Sequence, residues 1–285
     1  MLNENAIIID DKQLAFKRED ILRILQNVRT VDDINLCADL ILDYTEGWPA
    51  GVIAIALALK NEYKTMNKEG IVRLCKESRV YDYIMYEIFK KLPYDIQTFL
   101  INTSVLNILS ADLCNAVLNI TTAKSTLDYL VQENIFVIML SGKGNVYRYH
   151  SIFKDYLSNQ INKSTEQTIL KKAAVFCLNK GDFEQAIDYA ISCNDLELML
   201  AAFEEIGMPV INTVKVLSLA GWVETLLDSG ARLTCRTRRI LSAFYYYKND
   251  MTKALEYIEG VCEDFRTDNN ENEYVDAILQ KNGYM

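Results

Sequence analysis

Histidine, proline and glycine are scarce in this chain of 285 residues, which has one histidine, three prolines and eleven glycines. One histidine cannot complete an ordinary Cys/His zinc set, and any catalytic triad would have to use His150. An all-β protein needs many tight turns, and these are rich in proline and glycine, so the composition argues against that fold class. Since 50% of the residues are hydrophobic, the composition predicts a folded and mostly helical protein.

Paired cysteines and long apolar runs are also missing. The seven cysteines form no C-x-x-C pair, and their odd number, with no signal peptide in the sequence, predicts reduced thiols in the cytoplasm. The longest apolar run, residues 49–59, is far shorter than the ~18 residues of a membrane-spanning helix. We therefore expect a cytoplasmic protein without a membrane partner.

A basic excess is lacking as well, because 30 basic residues stand against 39 acidic ones and the net charge is −9. Nucleic-acid binding requires several phosphates to be neutralised. One cluster leaves a local basic patch open as an alternative, although such clusters are typical of a solvated helix start: Arg232, Arg236, Arg238 and Arg239. Direct nucleic-acid binding is therefore not expected.

The known catalytic motifs are absent from the sequence. It contains no G-x-x-x-x-G-K-[ST] phosphate loop, no G-x-S-x-G, no H-E-x-x-H and no EF-hand loop. The carboxylates fall among lysines and arginines, where solvated helix faces are the usual reading. We expect no enzyme activity, no metal site and no cofactor in this chain alone.

The apolar periodicity of residues 1–78 predicts two parts. Residues 1–30 combine a strand-like run at 6–9 with a helix at 17–28, and a single strand implies the edge of something larger. Residues 31–78 are predicted to form a helical domain with helices at about 32–45, 50–60 and 70–77. Pro49 ends the first of these and suits the first position of the second.

Residues 79–162 have the order of a winged-helix domain. Helices are predicted at 81–92, 94–103, 111–118 and 123–133, with Ser110 as an N-cap. Two β-rich runs, 135–140 and 146–150, flank a glycine-containing turn and predict one hairpin. A helix at 152–161 follows it directly.

Residues 163–285 are helical again and contain an internal repeat. Residues 176–189 align with residues 244–257, so the separation from 176 to 244 is 68 residues, twice the ~34-residue period of tetratricopeptide (TPR) helix pairs. Asp182 and Asp250 are predicted helix caps, and Ala186 and Ala254 let helices approach closely. The predicted fold is mainly α: a helical domain, a winged-helix domain with one β-hairpin, and a TPR-like helical-repeat superhelix. Such stacks offer concave surfaces for partners.

Two motifs carry a family resemblance. Residues 45–52 read Thr-Glu-Gly-Trp-Pro-Ala-Gly-Val, and residues 147–153 read Tyr-Arg-Tyr-His-Ser-Ile-Phe. With these two motifs in this order, the chain resembles the large ATP-binding LuxR-family regulators of the MalT-like type. The resemblance runs from about Ile8 to Phe265. Those regulators are signal-transducing ATPases of the STAND class.

The resemblance implies a nucleotide-contact site. Gly47, Trp48 and Pro49 match the helical-domain element whose proline packs near the adenine of a bound nucleotide. His150 matches the winged-helix histidine that reaches the β-phosphate of ADP and holds the resting form. An imidazole suits that role because it can donate a hydrogen bond to a phosphate oxygen.

Family members also carry a preceding domain with Walker A and B motifs and usually a C-terminal LuxR helix-turn-helix, and neither occurs in this sequence. Residues 1–30 are therefore expected to be an edge remnant of a missing nucleotide-binding domain. ATP and ADP belong to the full-length family, and the four site residues would contact nucleotide only with that domain. The resemblance implies a fragment or truncated form of an ATP-dependent regulator, with an arm followed by an inducer-sensing and oligomerisation region at 163–285.

Two alternatives remain open from the sequence. A stand-alone helical-repeat adaptor would bind protein partners and never meet a nucleotide. A winged-helix DNA binder is weaker, because its candidate recognition helix at 121–134 offers Lys124 against Asp128 and Glu133. The small-molecule or protein inducer cannot be read from the pattern.

Overall fold

The computed structural model describes residues 14–26, 28, 33–60, 67–77, 86–140, 145–211, 216–267 and 271–283. The chain divides into two compact units, residues 1–163 and 164–285. The expected strand at 6–9, the start of the helix at 81–92 and the hairpin turn at 141–144 lie outside the described residues. The predicted four-part domain division stays a prediction.

Four helices open the first unit: α1 (Arg18–Leu25), α2 (Ile34–Thr45), α3 (Pro49–Lys60) and α4 (Lys68–Glu77). Asp33 begins α2, because its carboxylate accepts hydrogen bonds from the N–H groups of Asn35 and Leu36 at 2.9 and 3.1 Å. The α1 helix ends before residue 28, its predicted end, because the Val28 N–H donates a hydrogen bond to the Leu25 carbonyl three residues back. The apolar α3 packs against α1, α2 and α4, as its nearly continuous hydrophobic surface predicts.

The winged-helix part follows with α5 (Tyr94–Thr103), β1 (Leu109–Ser110), α6 (Ala111–Leu118), α7 (Ala123–Gln132), β2 (Val137–Met139), β3 (Val146–Tyr149) and α8 (Ser151–Ser158). Ser110 caps α6 by accepting the Leu113 N–H at 3.2 Å, as predicted. The α8 helix ends before residue 161, because the Gln160 N–H turns back to the Leu157 carbonyl.

The sheet of this part is antiparallel, with the strand order β1-β3-β2. The predicted hairpin is confirmed, with Val137 opposite Tyr149. The third strand, β1, was not predicted; Leu109 pairs with Tyr147 there. Two residues are too short for alternation to mark a strand, so the pairing comes from the tertiary fold.

The second unit is built from helices: α9 (Lys163–Lys180), α10 (Phe183–Ser192), α11 (Leu196–Ile211), α12 (Val216–Asp228), α13 (Cys235–Tyr247), α14 (Met251–Thr267) and α15 (Glu271–Asn282). Neighbouring helices pack as α10 with α11, α13 with α14, and α14 with α15. The predicted mainly α fold with TPR-like helical repeats is confirmed.

The internal repeat is matched in atomic detail at its two turns. Gly181 and Asn249 both adopt left-handed backbone, with φ of 76° and 62°. Each is followed by an aspartate that caps the next helix: Asp182 accepts the Gln185 N–H at 3.3 Å, and Asp250 accepts the Lys253 N–H at 3.2 Å. The same sequence pattern therefore builds the same turn twice.

The two repeat units also share their side-chain packing. Lys180 lies over the Phe176 ring at 5.7 Å, and Lys248 lies over the Phe244 ring at 5.1 Å. The alanines at the predicted helix crossings, residues 186 and 254, are buried. Their small side chains permit the close approach of the paired helices.

Candidate functional site

The turn between α2 and α3 carries the first predicted motif. Glu46 and Gly47 both have left-handed backbone, with φ of 50° and 77°, and the Trp48 N–H donates to the Thr45 carbonyl at 2.8 Å. A Cβ atom at Gly47 would lie 2.4 Å from the carbonyl oxygen of Phe16. Glycine is therefore required at this position by both conformation and space.

The second motif joins β3 to α8, and His150 is the N-cap residue between them. Its backbone N–H donates to the Phe136 carbonyl at 2.8 Å, which ties the junction to the start of β2. Phe136 itself has a positive φ of 49°. The His150 side chain is only 8% exposed.

The two motifs meet through Glu46. Its carboxylate accepts two hydrogen bonds from the Arg148 guanidinium, at 2.7 and 2.6 Å, in a bidentate arrangement. It also accepts the backbone N–H of Ser151 at 3.2 Å and the Ser151 hydroxyl at 3.0 Å. Four hydrogen bonds therefore connect the α2–α3 turn to the residues on both sides of His150.

The electrostatics of this group follow from those contacts. Burial raises the pKa of Glu46, but the hydrogen bonds from Arg148, the charge of His150 and the Ser151 N–H outweigh burial and lower the pKa to about 2. The hydrogen bond to Glu46 also raises the pKa of Arg148. Both groups are therefore ionised throughout the neutral range.

The ring of Phe136 connects His150 to a cluster of aromatic side chains. Its imidazole packs edge-on against the Phe136 ring at 5.8 Å, and the same ring contacts Trp48 at 5.4 Å and Phe153 at 5.3 Å. The buried Nδ1 of His150 has no hydrogen-bond partner among the described residues. Burial lowers the pKa of His150, although the nearby Glu46 carboxylate and the Thr45 backbone act in the opposite direction.

The four predicted site residues lie close together in the structure. Gly47 and Pro49 flank Trp48 in the α2–α3 turn, and Phe136 links the Trp48 ring to the imidazole of His150. Trp48 and Pro49 are half-buried, which leaves part of their apolar surface accessible. Their role as nucleotide contacts stays a prediction.

Sequence reasoning missed Glu46, Arg148, Ser151 and Phe136. The first three lie inside the two motifs, directly beside the residues that were singled out. Charge was the signal that could have found two of them: Glu46 and Arg148 are residues of opposite charge in motifs made mostly of apolar or aromatic residues. Phe136 offered none, because it reads as an ordinary strand residue.

The groups gathered around His150 offer hydrogen bonds and apolar surface to a ligand. A neutral imidazole has one N–H donor and one acceptor nitrogen, so the unpaired Nδ1 of His150 donates a hydrogen bond to an anion when Nδ1 carries the proton. Burial raises the pKa of the thiols of Cys37, Cys114 and Cys177 to about 11, 12 and 12, so none of them is an activated nucleophile. The described residues contain no group of three or more side chains placed to hold a metal ion.

The basic side chains that were considered for nucleic acid have acidic neighbours. Arg238 pairs with Asp264, and Arg236 lies 3.6 Å from Glu205. Lys124, on the candidate recognition helix α7, lies 2.5 Å from Asp128. In the part of the chain that the structure describes, no helix has the length and apolar character needed to span a membrane.

Comparison with known proteins gives one match to a family model and several to curated regulators. The model described as the MalT winged helix domain matches residues 85–169. The HTH-type transcriptional regulator MalT of Vibrio parahaemolyticus is 28% identical over 263 residues, which cover 89% of this chain and 29% of that protein. The HTH-type transcriptional regulator AlkS of Pseudomonas putida is 24% identical over 188 residues, covering 65% of this chain and 20% of AlkS.

The chain spans less than a third of the length of these two relatives. The resemblance to MalT-like regulators that the two motifs indicated is confirmed. Among solved structures, the chain is similar to a signal transduction ATPase with numerous domains (STAND) from Pyrococcus horikoshii, with a tetratricopeptide repeat sensor. It is 14% identical, covers 95% of this chain and 44% of that chain, and has a TM-score of 0.46, too low to support a conclusion.

Proposed function

We propose that this MalT-like chain is the central and sensor part of an ATP-dependent transcriptional regulator of the STAND class. The relatives named above are transcriptional regulators, and they cover most of the chain. The observation that carries the proposal is His150, the single histidine, buried beside the Gly47–Pro49 turn with an unpaired Nδ1. A regulator of this kind would act in the cytoplasm, where its target genes are.

The residues present fit a nucleotide in two respects. The unpaired Nδ1 of His150 is a buried hydrogen-bonding atom that a phosphate oxygen would satisfy. The half-buried rings of Trp48 and Pro49 offer apolar surface suited to an adenine. The bound nucleotide would signal the state of the regulator. The turn that holds Trp48 and Pro49 would contact its adenine, and His150 would contact its β-phosphate.

We further propose that this chain catalyses no hydrolysis and binds nucleotide only together with a P-loop domain. Its sequence contains no phosphate loop of the G-x-x-x-x-G-K-[ST] kind, which would hold the triphosphate. Calorimetry with ADP and ATP on the purified chain is therefore expected to detect no binding. Micromolar binding that is abolished by His150→Ala would contradict this expectation.

A chimera tests the complete site. The matching 263-residue segment of the Vibrio parahaemolyticus protein would be replaced by this chain, so that the relative supplies all other domains. We expect the chimera to bind ADP and His150→Ala to weaken that binding by roughly 10- to 100-fold, since a hydrogen bond to a charged group contributes about 1.5–3 kcal/mol. Asp39→Asn, which removes a surface ion pair with Arg18, is the control. Equal ADP affinity of a folded chimera and its His150→Ala variant would refute the role of His150.

The helical repeats are the proposed receiver of the inducer. An open cavity of about 590 Å³ lies at their start, with polar lining residues that include Ser164, Lys171 and Asp195. Lys171 and Asp195 form an ion pair at 2.7 Å. A polar small molecule is therefore the ligand class that this cavity fits, and a Lys171→Ala chimera that responds normally to its inducer would argue against this location.

Self-association and the adaptor function are favoured by one surface. Val275 and Leu279, one turn apart on α15, are 53% and 64% exposed and place two apolar side chains side by side on the helix surface. If this surface mediates self-association, sedimentation should show a dimer whose population falls with dilution and in Leu279→Glu. A monomer at all concentrations would exclude self-association and leave the regulator proposal intact.

A further inference from the structure

We propose that Glu46 is a positioning residue whose carboxylate latches the β3–α8 junction onto the α2–α3 turn and so keeps the imidazole of His150 buried beside that turn. Loss of these hydrogen bonds would free the junction and expose the imidazole of His150. The inference deepens the proposed nucleotide function and rests on it for its biological meaning. The latch itself requires no nucleotide and can be tested without one.

The geometry of the four hydrogen bonds supports this role. They reach Arg148, two residues before His150, and Ser151, one residue after it, at 2.6 to 3.2 Å. The histidine is therefore held on both sides by one carboxylate. That carboxylate belongs to a residue about a hundred positions earlier in the chain, in the turn that also holds Trp48.

The other contacts of His150 do not perform this task. Its backbone N–H and its ring both contact Phe136, which lies directly before β2 in the same winged-helix part. Those contacts would move with the winged helix if it left the helical domain. The Thr45 backbone, at the end of α2, also hydrogen-bonds the imidazole. Glu46 differs from it because the Glu46 carboxylate holds the chain both before and after His150.

Two further contacts join the same parts without touching His150. The Tyr44 hydroxyl donates to Asp155 on α8 at 3.0 Å. Gly51 allows α3 to approach α8, since a Cβ atom there would lie 3.2 Å from Ile152. These contacts also hold the two parts together, whereas the Glu46 carboxylate binds residues on both sides of His150.

The conformation of Glu46 follows from its place at the end of α2. It is the C-cap residue of that helix, and its φ of 50° is the left-handed conformation in which many helices end. The hydrogen bonds from Arg148 and Ser151 then fix the side chain of this cap residue.

The single histidine makes the latch measurable. With ¹³C,¹⁵N-labelled histidine, one set of imidazole resonances titrates in the NMR spectrum of the full chain, so no assignment is needed. The charged groups that act on the imidazole are Glu46 and Arg148. In the unmodified chain we expect a pKa of His150 below the ordinary value of about 6.5, because burial lowers it.

The variant Glu46→Gln distinguishes release of the latch from loss of the carboxylate charge, because the two change the pKa of His150 in opposite directions. Loss of the carboxylate charge alone would lower the pKa of His150 further, since Glu46 raises it. Release of the latch would expose the imidazole, and its pKa would rise toward about 6.5. We expect the rise, together with faster hydrogen exchange of the Ser151 amide.

Arg148→Lys is the second variant, because it keeps the positive charge and loses the bidentate fork. It should raise the pKa of His150 in the same direction, whereas Asp39→Asn on the distant surface pair should leave it unchanged. Far-UV circular dichroism establishes that each variant is folded. An unchanged or lower pKa in folded Glu46→Gln would overturn the latch.

The latch and the proposed function fail separately. If the pKa of His150 rises as expected but the chimera does not lose ADP affinity in His150→Ala, the latch stands and the nucleotide role falls. If the chimera loses affinity but the pKa does not rise, His150 is a nucleotide contact that Glu46 does not position.

Discussion

Replacing Gly47 by alanine should destabilise the first unit more than an ordinary glycine substitution does. Gly47 has a φ of 77°, and a Cβ atom there would lie 2.4 Å from the Phe16 carbonyl oxygen. The Phe16 N–H also donates to the Gly47 carbonyl at 2.8 Å, so the new methyl group would push apart two segments that hydrogen-bond each other. Gly181 is a matched control, because its φ is 76° and a Cβ atom there would meet nothing within 4 Å.

The expected losses of unfolding free energy distinguish the cost of a left-handed alanine from the cost of its contact with Phe16. Left-handed backbone costs an alanine about 1–2 kcal/mol at either position. At Gly47 the displaced Phe16 segment also loses its hydrogen bond, worth about 0.5–1.5 kcal/mol, and the overlap must be relieved by backbone movement. We therefore expect a loss of about 1 kcal/mol for Gly181→Ala and roughly 2–4 kcal/mol for Gly47→Ala.

The assay is urea unfolding followed by tryptophan fluorescence. The chain has two tryptophans, Trp48 in the first unit and Trp222 in the second, so Trp222→Phe and Trp48→Phe backgrounds report on each unit alone. With a slope of about 2 kcal/mol per molar urea, the midpoint should fall by roughly 1–2 M for Gly47→Ala and about 0.5 M for Gly181→Ala. Equal losses at the two glycines would refute the contact argument.

Three further predictions concern the winged-helix part and its contact with the turn. Phe153→Ala should cost about 3–5 kcal/mol in urea unfolding, because the ring is fully buried against other aromatic rings; Phe153→Leu should cost less. Tyr149→Phe should lower the unfolding free energy by about 1–2 kcal/mol, since it removes the buried hydroxyl that shares a 2.6 Å hydrogen bond with Thr103. An unchanged unfolding free energy would mean that this hydrogen bond does not stabilise the fold. Because the folded pKa of Glu46 is about 2, below its ordinary value of about 4.3, its contribution is present above pH ~4.3 and lost as the pH falls toward 2. The stability of Glu46→Gln should therefore depend less on pH in that window, and an unchanged slope would show that Glu46 is not the titrating group.

The helices could be predicted to within a few residues because their signals are local. Apolar periodicity, the break at Pro49 and the capping residues Ser110 and Asp182 act within one or two turns of chain. The repeat at Phe176 and Phe244 was readable for the same reason, since each turn is built from adjacent residues. Helix ends at Leu25 and Ser158 were predicted too late, because the final turn tightens into hydrogen bonds that periodicity does not register.

Contacts between distant segments could not be predicted in this way. The pairing of β1 with β3 depends on where α5 and α6 bring two residues of chain, and Phe136 meets His150 only after the hairpin has formed. No local pattern specifies either contact.

The sequence by itself determined the element types, the family resemblance and the pair of motifs that the site is built from. Only the tertiary structure decided that Glu46 meets Arg148 and Ser151 across about a hundred residues, and that the Nδ1 of His150 is left without a partner. The physical reason is that periodicity and capping report energies within a turn of chain. A half-buried ion pair or an unpaired nitrogen depends on which surfaces pack together, and many sequences with the same local pattern could pack differently.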